Sequence, residues 1–153
     1  MLIAALLINA DNIHCNDSAS SKKRIIENIS IMLAKNTNTV SSDTIFNALI
    51  ERERLGSTGL GKGVAIPHAR IPGLTHTVAA MMTLASPVNY ESADGKEVDI
   101  AFGLLVPEED GDHHLQHLAR LVSLFRDADT CQKIRNTRSP EQVFEILLAI
   151  DDA

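Results

Sequence analysis

The sequence predicts a layered α/β (α+β) domain, a mixed β-sheet flanked by helices on both faces, formed as one unit over residues 1–153. Three observations carry that expectation. Apolar residues recur at helical spacing in segments toward both ends of the chain. Between them, Val98 to Val106 is a nearly continuous apolar run rich in branched residues, the pattern of a central strand buried on both faces. With 153 residues, 44% hydrophobic and 22% charged, the chain has the length and composition to build a core.

Taken in order, the elements are as follows. Ser20 or Ser21 caps a helix over about 21–35, with Ile25, Ile26, Ile29, Met32 and Leu33 on its apolar stripe. Asn36 to Thr39 is a loop. Ser41 or Ser42 caps a second helix that runs to about 54, its apolar side made by Ile45, Ala48 and Leu49. Gly56 to Gly63 holds four glycines in eight residues, so neither a helix nor a regular strand is expected there. Val64 to Ile66 is a short buried strand ended by Pro67. Thr75 to Leu84 reads as a strand, and Val98 to Val106 as the central one, stopped by Pro107. The acidic segment 108–112 is a loop. Leu115, Leu118, Leu121, Val122 and Phe125 mark a helix, and Asp127 to Asn136 a short one. Ser139-Pro140-Glu141 opens the last helix, a cap followed by proline at the first helical position. Its apolar face carries Val143, Phe144, Ile146, Leu147 and Ile150. The apolar first ten residues lack the basic start of a signal peptide and are too short to span a bilayer. They are expected to pack as a strand or helical turn, or to dock on a partner.

Composition excludes several classes. Net charge is −6, aromatics are 3% and tryptophan is absent, which speaks against nucleic-acid binding. The one basic cluster, Lys22-Lys23-Arg24, is expected to be a solvated helix face. Cys15 and Cys131 form neither a C-x-x-C pair nor a disulfide framework, which fits a reducing cytoplasm. No membrane insertion is expected.

The chemistry concentrates around the glycine segment. Gly56-x-x-x-x-Gly61-Lys62 begins like a P-loop, but Gly63 stands where the magnesium-binding Ser or Thr is needed. The order helix, loop, strand is also the reverse of what a P-loop requires. The loop can still form an anion nest from the exposed amides of Gly59 and Gly61, with hydroxyl donors from Ser57 and Thr58. The alternative is that these glycines only make turns. His68 follows within a few residues, and imidazole is nucleophilic near neutral pH. A histidine at a strand end beside an anion nest can hold a covalent phosphate, and Arg52 can supply bidentate donors to it. A lone histidine with only a structural role is the competing reading. His113, His114 and His117 form a second cluster at a helix start. A zinc site lacks its usual companions there; one of the three is expected to reach the phosphate, the others to lie at the surface.

The segment from Arg52 through Gly56-Ser57-Thr58-Gly59-Leu60-Gly61-Lys62-Gly63 to Pro67-His68 resembles the signature of fructose/mannitol-type enzyme IIA domains of the bacterial phosphotransferase system. It is most similar there to the nitrogen-regulatory enzyme IIA proteins. Ser21 to Arg24, Val98 to Pro107 and His114-Leu115-x-x-Leu118 resemble the family's first helix, central strand and second-histidine motif. The resemblance covers about Ile13 to Ile150 and implies a core of about 13–150 with an enzyme IIA mannitol/fructose-like fold. It implies that His68 is the phosphorylated nucleophile, favouring Nε2, with Arg52 and His114 supporting the phosphoryl group. It implies no metal and no cofactor. The donor would be a phosphocarrier protein, charged from phosphoenolpyruvate through an enzyme I. The sequence departs from many relatives at Ala69, where glycine is common, and in its apolar first ten residues.

Three functions follow as expectations. The first is a regulatory phosphoacceptor whose state is read by a transporter or kinase. The second is a sugar-transport relay passing phosphate to a IIB domain. The third is a binding module that never carries phosphate. A weak homodimer is compatible with each.

Overall fold

The computed structural model describes residues 3–109, 111 and 113–151, His113 by its backbone alone. The chain begins with a short helix, α1 (Ile3–Leu7), then a 3-10 turn (Ala10–Asn12) and strand β1 (Ile13–Asp17). Helices α2 (Lys22–Ala34) and α3 (Ser42–Arg54) follow. Strands β2 (Gly59–Gly61), β3 (Val64–Ala65), β4 (His68–Ile71), β5 (Val78–Val88) and β6 (Val98–Pro107) come next, then α4 (His113–Arg126), α5 (Ala128–Arg135) and α6 (Pro140–Asp151).

β6 is the centre of a mixed six-stranded sheet. It runs antiparallel to β5 and parallel to both β3 and β4. β1 adds in parallel to β5, and β2 pairs antiparallel with β3 at the other side. Side chains alternate across a strand, so β6 feeds two cores. Ile100, Phe102, Leu104 and Val106 pack with α1, α4, α5 and α6. Ala101 and Leu105 pack with α2 and α3, through Ile25, Ile26, Ile29 and Leu33 of the first and Ile45 and Leu49 of the second. Each fully buried Ile or Leu stabilises by about 1.5–3 kcal/mol in transfer alone, so this double-faced burial is what makes the apolar run of β6 a central strand.

The caps come from the local sequence. Ser21 accepts the Arg24 N–H at 3.1 Å and Ser41 accepts that of Thr44 at 3.2 Å, so the second and the first serine, respectively, of the two candidate pairs are the caps. Pro140 opens α6 as expected.

Several expectations are corrected. β1 was not expected: its short segment is largely polar, and only Ile13 and Asp17 are buried. β5 begins three residues later than Thr75 and extends to Val88. The glycine segment contains a strand, β2, because Lys62 (φ 58°) and Gly63 (φ 86°) both take the left-handed conformation. Two successive positive φ angles are the signature of the tight hairpin turn whose twist matches the strands it joins. Asp94 accepts the Lys62 N–H at 2.9 Å, and Arg135 donates to the Lys62 carbonyl at 2.8 Å while gripping Asp99. Pro67 interrupts the chain only briefly: His68 opens a new strand beside the same neighbour. Lys22 is no solvated residue; its Nζ lies 3.0 Å from the Glu53 carboxylate and 4.8 Å from the Tyr90 ring centre.

The apolar start of the chain packs as a helical turn, with Ile3, Ala4 and Leu7 buried; Met1 and Leu2 lie outside the described residues. Among the described residues no helix is long and apolar enough to cross a membrane.

Candidate active site

His68 is the first residue of β4 and pairs in register with Leu104. It therefore points to the face that Leu104 occupies, the side covered by α4. Arg70, two residues on, points to the same face, while Ile71 belongs to the opposite core. His68, Arg70, Leu104, Val106, His114 and Leu118 line one small recess there.

His68 Nδ1 lies 2.7 Å from the Ile66 carbonyl oxygen. A carbonyl can only accept, so Nδ1 carries the proton and the lone pair sits on Nε2. Burial of the ring is the largest influence on its pKa and lowers it below the ordinary value. The Ile66 hydrogen bond opposes this, Arg52 adds to the lowering, Glu53 opposes it and His114 adds a little more. The net result is a neutral imidazole with Nε2 available as a nucleophile at neutral pH.

Arg52 reaches the site from the last turn of α3. Its Nη1 donates to the Gly56 carbonyl at 2.9 Å, which holds the guanidinium at the helix end. Its charge acts on His68, although it does not line the recess.

His114, near the start of α4, is the member of the histidine cluster that shares the recess with His68. His117 is buried at 4% exposure, which corrects its expected surface position. The side chain of His113 lies outside the described residues, as do Asp110 and Asp112 of the acidic loop. Among the described residues no three His, Cys, Asp or Glu side chains gather as a metal cluster.

The glycine loop holds an anion, but that anion belongs to the protein. Thr58 donates its N–H to Glu53 Oε1 at 3.0 Å and its hydroxyl to Glu53 Oε2. Tyr90 Oη lies 3.1 Å from Thr58 Oγ1. Burial pushes the Tyr90 phenol well up, and the Glu53 charge adds to it. Ser57 Oγ donates to the Tyr90 carbonyl at 3.2 Å and accepts the Gly59 N–H at 3.1 Å. Gly61 pairs with Val64 across the hairpin. Ser57, Thr58, Gly59 and Gly61, expected as phosphate donors, are thus engaged within the loop, and none of them lines the recess beside His68.

Sequence reasoning missed Arg70, Glu53 and Tyr90. Arg70 was legible in principle from the His68-x-Arg70 alternation, had a strand been expected there. Glu53 and Tyr90 carry no local signal, since their partners are brought together by the fold.

A mixed sheet covered by helices on both faces, with a neutral histidine at a strand start and arginine and histidine beside it, defines an enzyme IIA-type domain. The sequence matches the family described as phosphoenolpyruvate-dependent sugar phosphotransferase system, EIIA 2, over residues 6–150, and the chain belongs to that family. Within it, the chain is similar to the nitrogen regulatory protein of Pseudomonas aeruginosa, 36% identical over 137 residues that cover 90% of this chain and 89% of that one. Among solved structures it is similar to nitrogen regulatory protein IIA-Ntr from Neisseria meningitidis, with TM-score 0.89 and 36% identity over 95% of this chain and 98% of that one. At the level of fold it is also similar to enzyme IIA mannitol of Escherichia coli, solved in complex with phosphorylated enzyme IIB mannitol. That likeness has TM-score 0.78 and 20% identity, over 92% of this chain and 96% of that one.

Proposed function

We propose that this chain accepts a phosphoryl group on Nε2 of His68 and acts as a regulatory component of a phosphotransferase system, its phosphorylation state being read by partner proteins. The observation that carries the reading is the 2.7 Å contact of His68 Nδ1 with the Ile66 carbonyl, which leaves the lone pair of a neutral ring on Nε2.

The donor is a phosphohistidine on a small phosphocarrier protein. The Nε2 lone pair attacks phosphorus, an Nε2–P bond forms, and the donor's N–P bond breaks with its electron pair returning to the donor imidazole. Nδ1 keeps its proton throughout. The positive charge that the protonated, phosphorylated ring carried on the donor passes to the His68 ring, where the Ile66 carbonyl stabilises it. Charge and protons balance without a metal, a nucleotide or a general base. Phosphoryl transfer asks for positioning and for donors around the phosphoryl oxygens. Arg52 supplies such donors from the end of α3, and the recess that His68 shares with His114 supplies the positioning.

The surroundings suit a macromolecular donor. Leu55, beyond the Arg52 helix end, is 85% exposed, and Leu115, next to His114, is 54% exposed. Such open apolar side chains on either side of a reactive group favour a transient protein contact. The similarity to proteins called nitrogen regulatory supports regulation as the output; a cytoplasmic setting and a single phosphoacceptor domain are part of the proposal. The second reading, relay to a IIB domain, has its support in the solved complex of the mannitol enzymes; it uses the same chemistry on His68.

The test mixes the purified chain with phosphoenolpyruvate, an enzyme I and its phosphocarrier and follows intact mass. An acid-labile, base-stable adduct that is absent from His68→Ala is the expected result. The same adduct in His68→Ala would remove His68 from the role. Adding a fructose- or mannitol-type IIB domain separates the two outputs: rapid loss of the adduct to IIB favours the relay, retention favours regulation.

A further inference from the structure

Arg70 is the charged group closest to the reactive histidine along the chain that neither the family resemblance nor the chemistry above uses. Strand alternation places it on the same face as His68, and both line the recess with His114. Its Nη2 donates to the Gly111 carbonyl at 2.8 Å and lies 2.7 Å from His114 Nδ1 and 3.0 Å from His114 Nε2. His114 Nδ1 in turn lies 2.9 Å from the Gly111 carbonyl.

The Gly111 contact determines the tautomer of the neutral ring. The Gly111 oxygen has only lone pairs, so Nδ1 of His114 carries the proton that faces it and the lone pair is on Nε2. Arg70 Nη2 lies nearly equidistant from the two ring nitrogens, so it packs over the imidazole rather than in line with either lone pair. His114 thus spends its donor on Gly111 while its ring backs the guanidinium. In that arrangement it has no N–H to offer a phosphoryl group on His68. Arg70 does: its planar fork has five N–H donors, and one nitrogen suffices for the two anchors.

We propose that Arg70 is a second phosphoryl-binding cation of this site, and that His114 is a positioning residue that acts by holding Arg70. The proposal rests on the reading of His68 as the phosphoacceptor. Arg52 approaches from the α3 side, and Arg70 from the same strand face as His68. The phosphoryl oxygens on Nε2 receive N–H donors from both.

The test compares wild type with Arg70→Lys, Arg70→Gln, His114→Ala and the Arg70→Gln/His114→Ala double variant, each checked by thermal melting. Single-turnover rates are measured at varied concentrations of phosphorylated phosphocarrier. Arg70→Lys keeps the charge but loses the fork; it and Arg70→Gln are expected to lower the maximal rate roughly a hundredfold, the usual loss for one donor to a developing charge. The half-saturating donor concentration is expected to stay the same. Because His114 works through Arg70, the double variant is expected to be no slower than Arg70→Gln alone.

A raised half-saturating concentration with an unchanged maximal rate would assign Arg70 to docking and overturn the proposal. Penalties that multiply in the double variant would make the two residues independent and overturn it as well. A wild-type rate in Arg70→Gln does the same while leaving His68 as the acceptor. A wild-type chain that takes no phosphate removes the phosphoacceptor reading itself. Nitrogen-15 shifts of the His114 ring in the unmodified wild type give a check free of any variant: a protonated Nδ1 is expected, and a protonated Nε2 overturns the arrangement.

Discussion

His68 Nδ1 and the Ile66 carbonyl oxygen are 2.7 Å apart, two residues from each other in sequence and on either side of Pro67. Proline fixes its own φ and breaks strand pairing between β3 and β4, so the carbonyl of Ile66 turns to meet the ring that follows. The contact selects the tautomer, and the buried setting keeps the ring neutral. Both effects leave Nε2 as the reactive atom.

The pH behaviour follows with its sign. The folded-state pKa of His68 lies below the ordinary histidine value of about 6.5, with burial as the main cause. Below pH 6.5 the unfolded chain therefore binds a proton that the folded chain refuses. His68 costs stability as pH falls from about 6.5 through the lowered folded value, and contributes no pH dependence above 6.5. Denaturant unfolding of wild type and His68→Gln across about pH 4.5–8, the span of ordinary histidine titration, tests this. Wild type is expected to lose more stability than the variant on acidification; equal slopes would show that the ring titrates normally.

The carboxylate of Glu53 is 6% exposed and meets Lys22 as well as the amide and hydroxyl of Thr58. Removing it strands a partly buried ammonium and two donors. Glu53→Ala is expected to cost about 2–4 kcal/mol, less than loss of a fully buried ion-pair partner because Lys22 keeps some solvent contact. Chemical denaturation checks it, and a loss below about 0.5 kcal/mol would mean the network is not structural.

Gly59 is where the loop passes closest to the rest of the protein. A Cβ there would stand 2.1 Å from Ser92 Oγ and 3.0 Å from its Cα. Gly59→Ala is expected to destabilise by about 1–3 kcal/mol through overpacking. Pairing it with Ser92→Gly is expected to recover part of that loss, a non-additivity that two independent sites would not show.

Lys62 holds a left-handed conformation that suits asparagine better. Lys62→Asn keeps the N–H that Asp94 accepts and puts there a short polar side chain that hydrogen-bonds locally and tolerates the left-handed region. It is expected to stabilise by about 0.5–1 kcal/mol in thermal or denaturant unfolding. A destabilised variant would indicate that the lysine side chain contributes more than its backbone.

Much of the fold was legible because the helices follow their periodicity and β6 is apolar throughout. The serine caps and the proline start of α6 were readable for the same local reason. β1 and β2 were not, since their apolar content is low and their stability comes from neighbours distant in sequence. At the site, His68, Arg52 and His114 are expected from motif and resemblance; the fold brings His68 and His114 to one recess, which Arg52 does not line. The partners of the loop residues were not legible, because Glu53, which receives Thr58, and Tyr90, whose carbonyl receives Ser57, meet the loop only once the chain has folded. Arg70 was hidden by a single local misreading: with the strand ended at Pro67, no alternation could pair it with His68.

The most direct measurement locates the phosphate. Long-range proton–nitrogen NMR of the phosphorylated chain, labelled with nitrogen-15 in its histidines, distinguishes the two ring nitrogens and all the histidines. Phosphate on Nε2 of His68, with Nδ1 still protonated, is the predicted result. Phosphate on Nδ1 of His68, or on His114, would contradict the account, because it would require the Ile66 contact to break or the wrong ring to react.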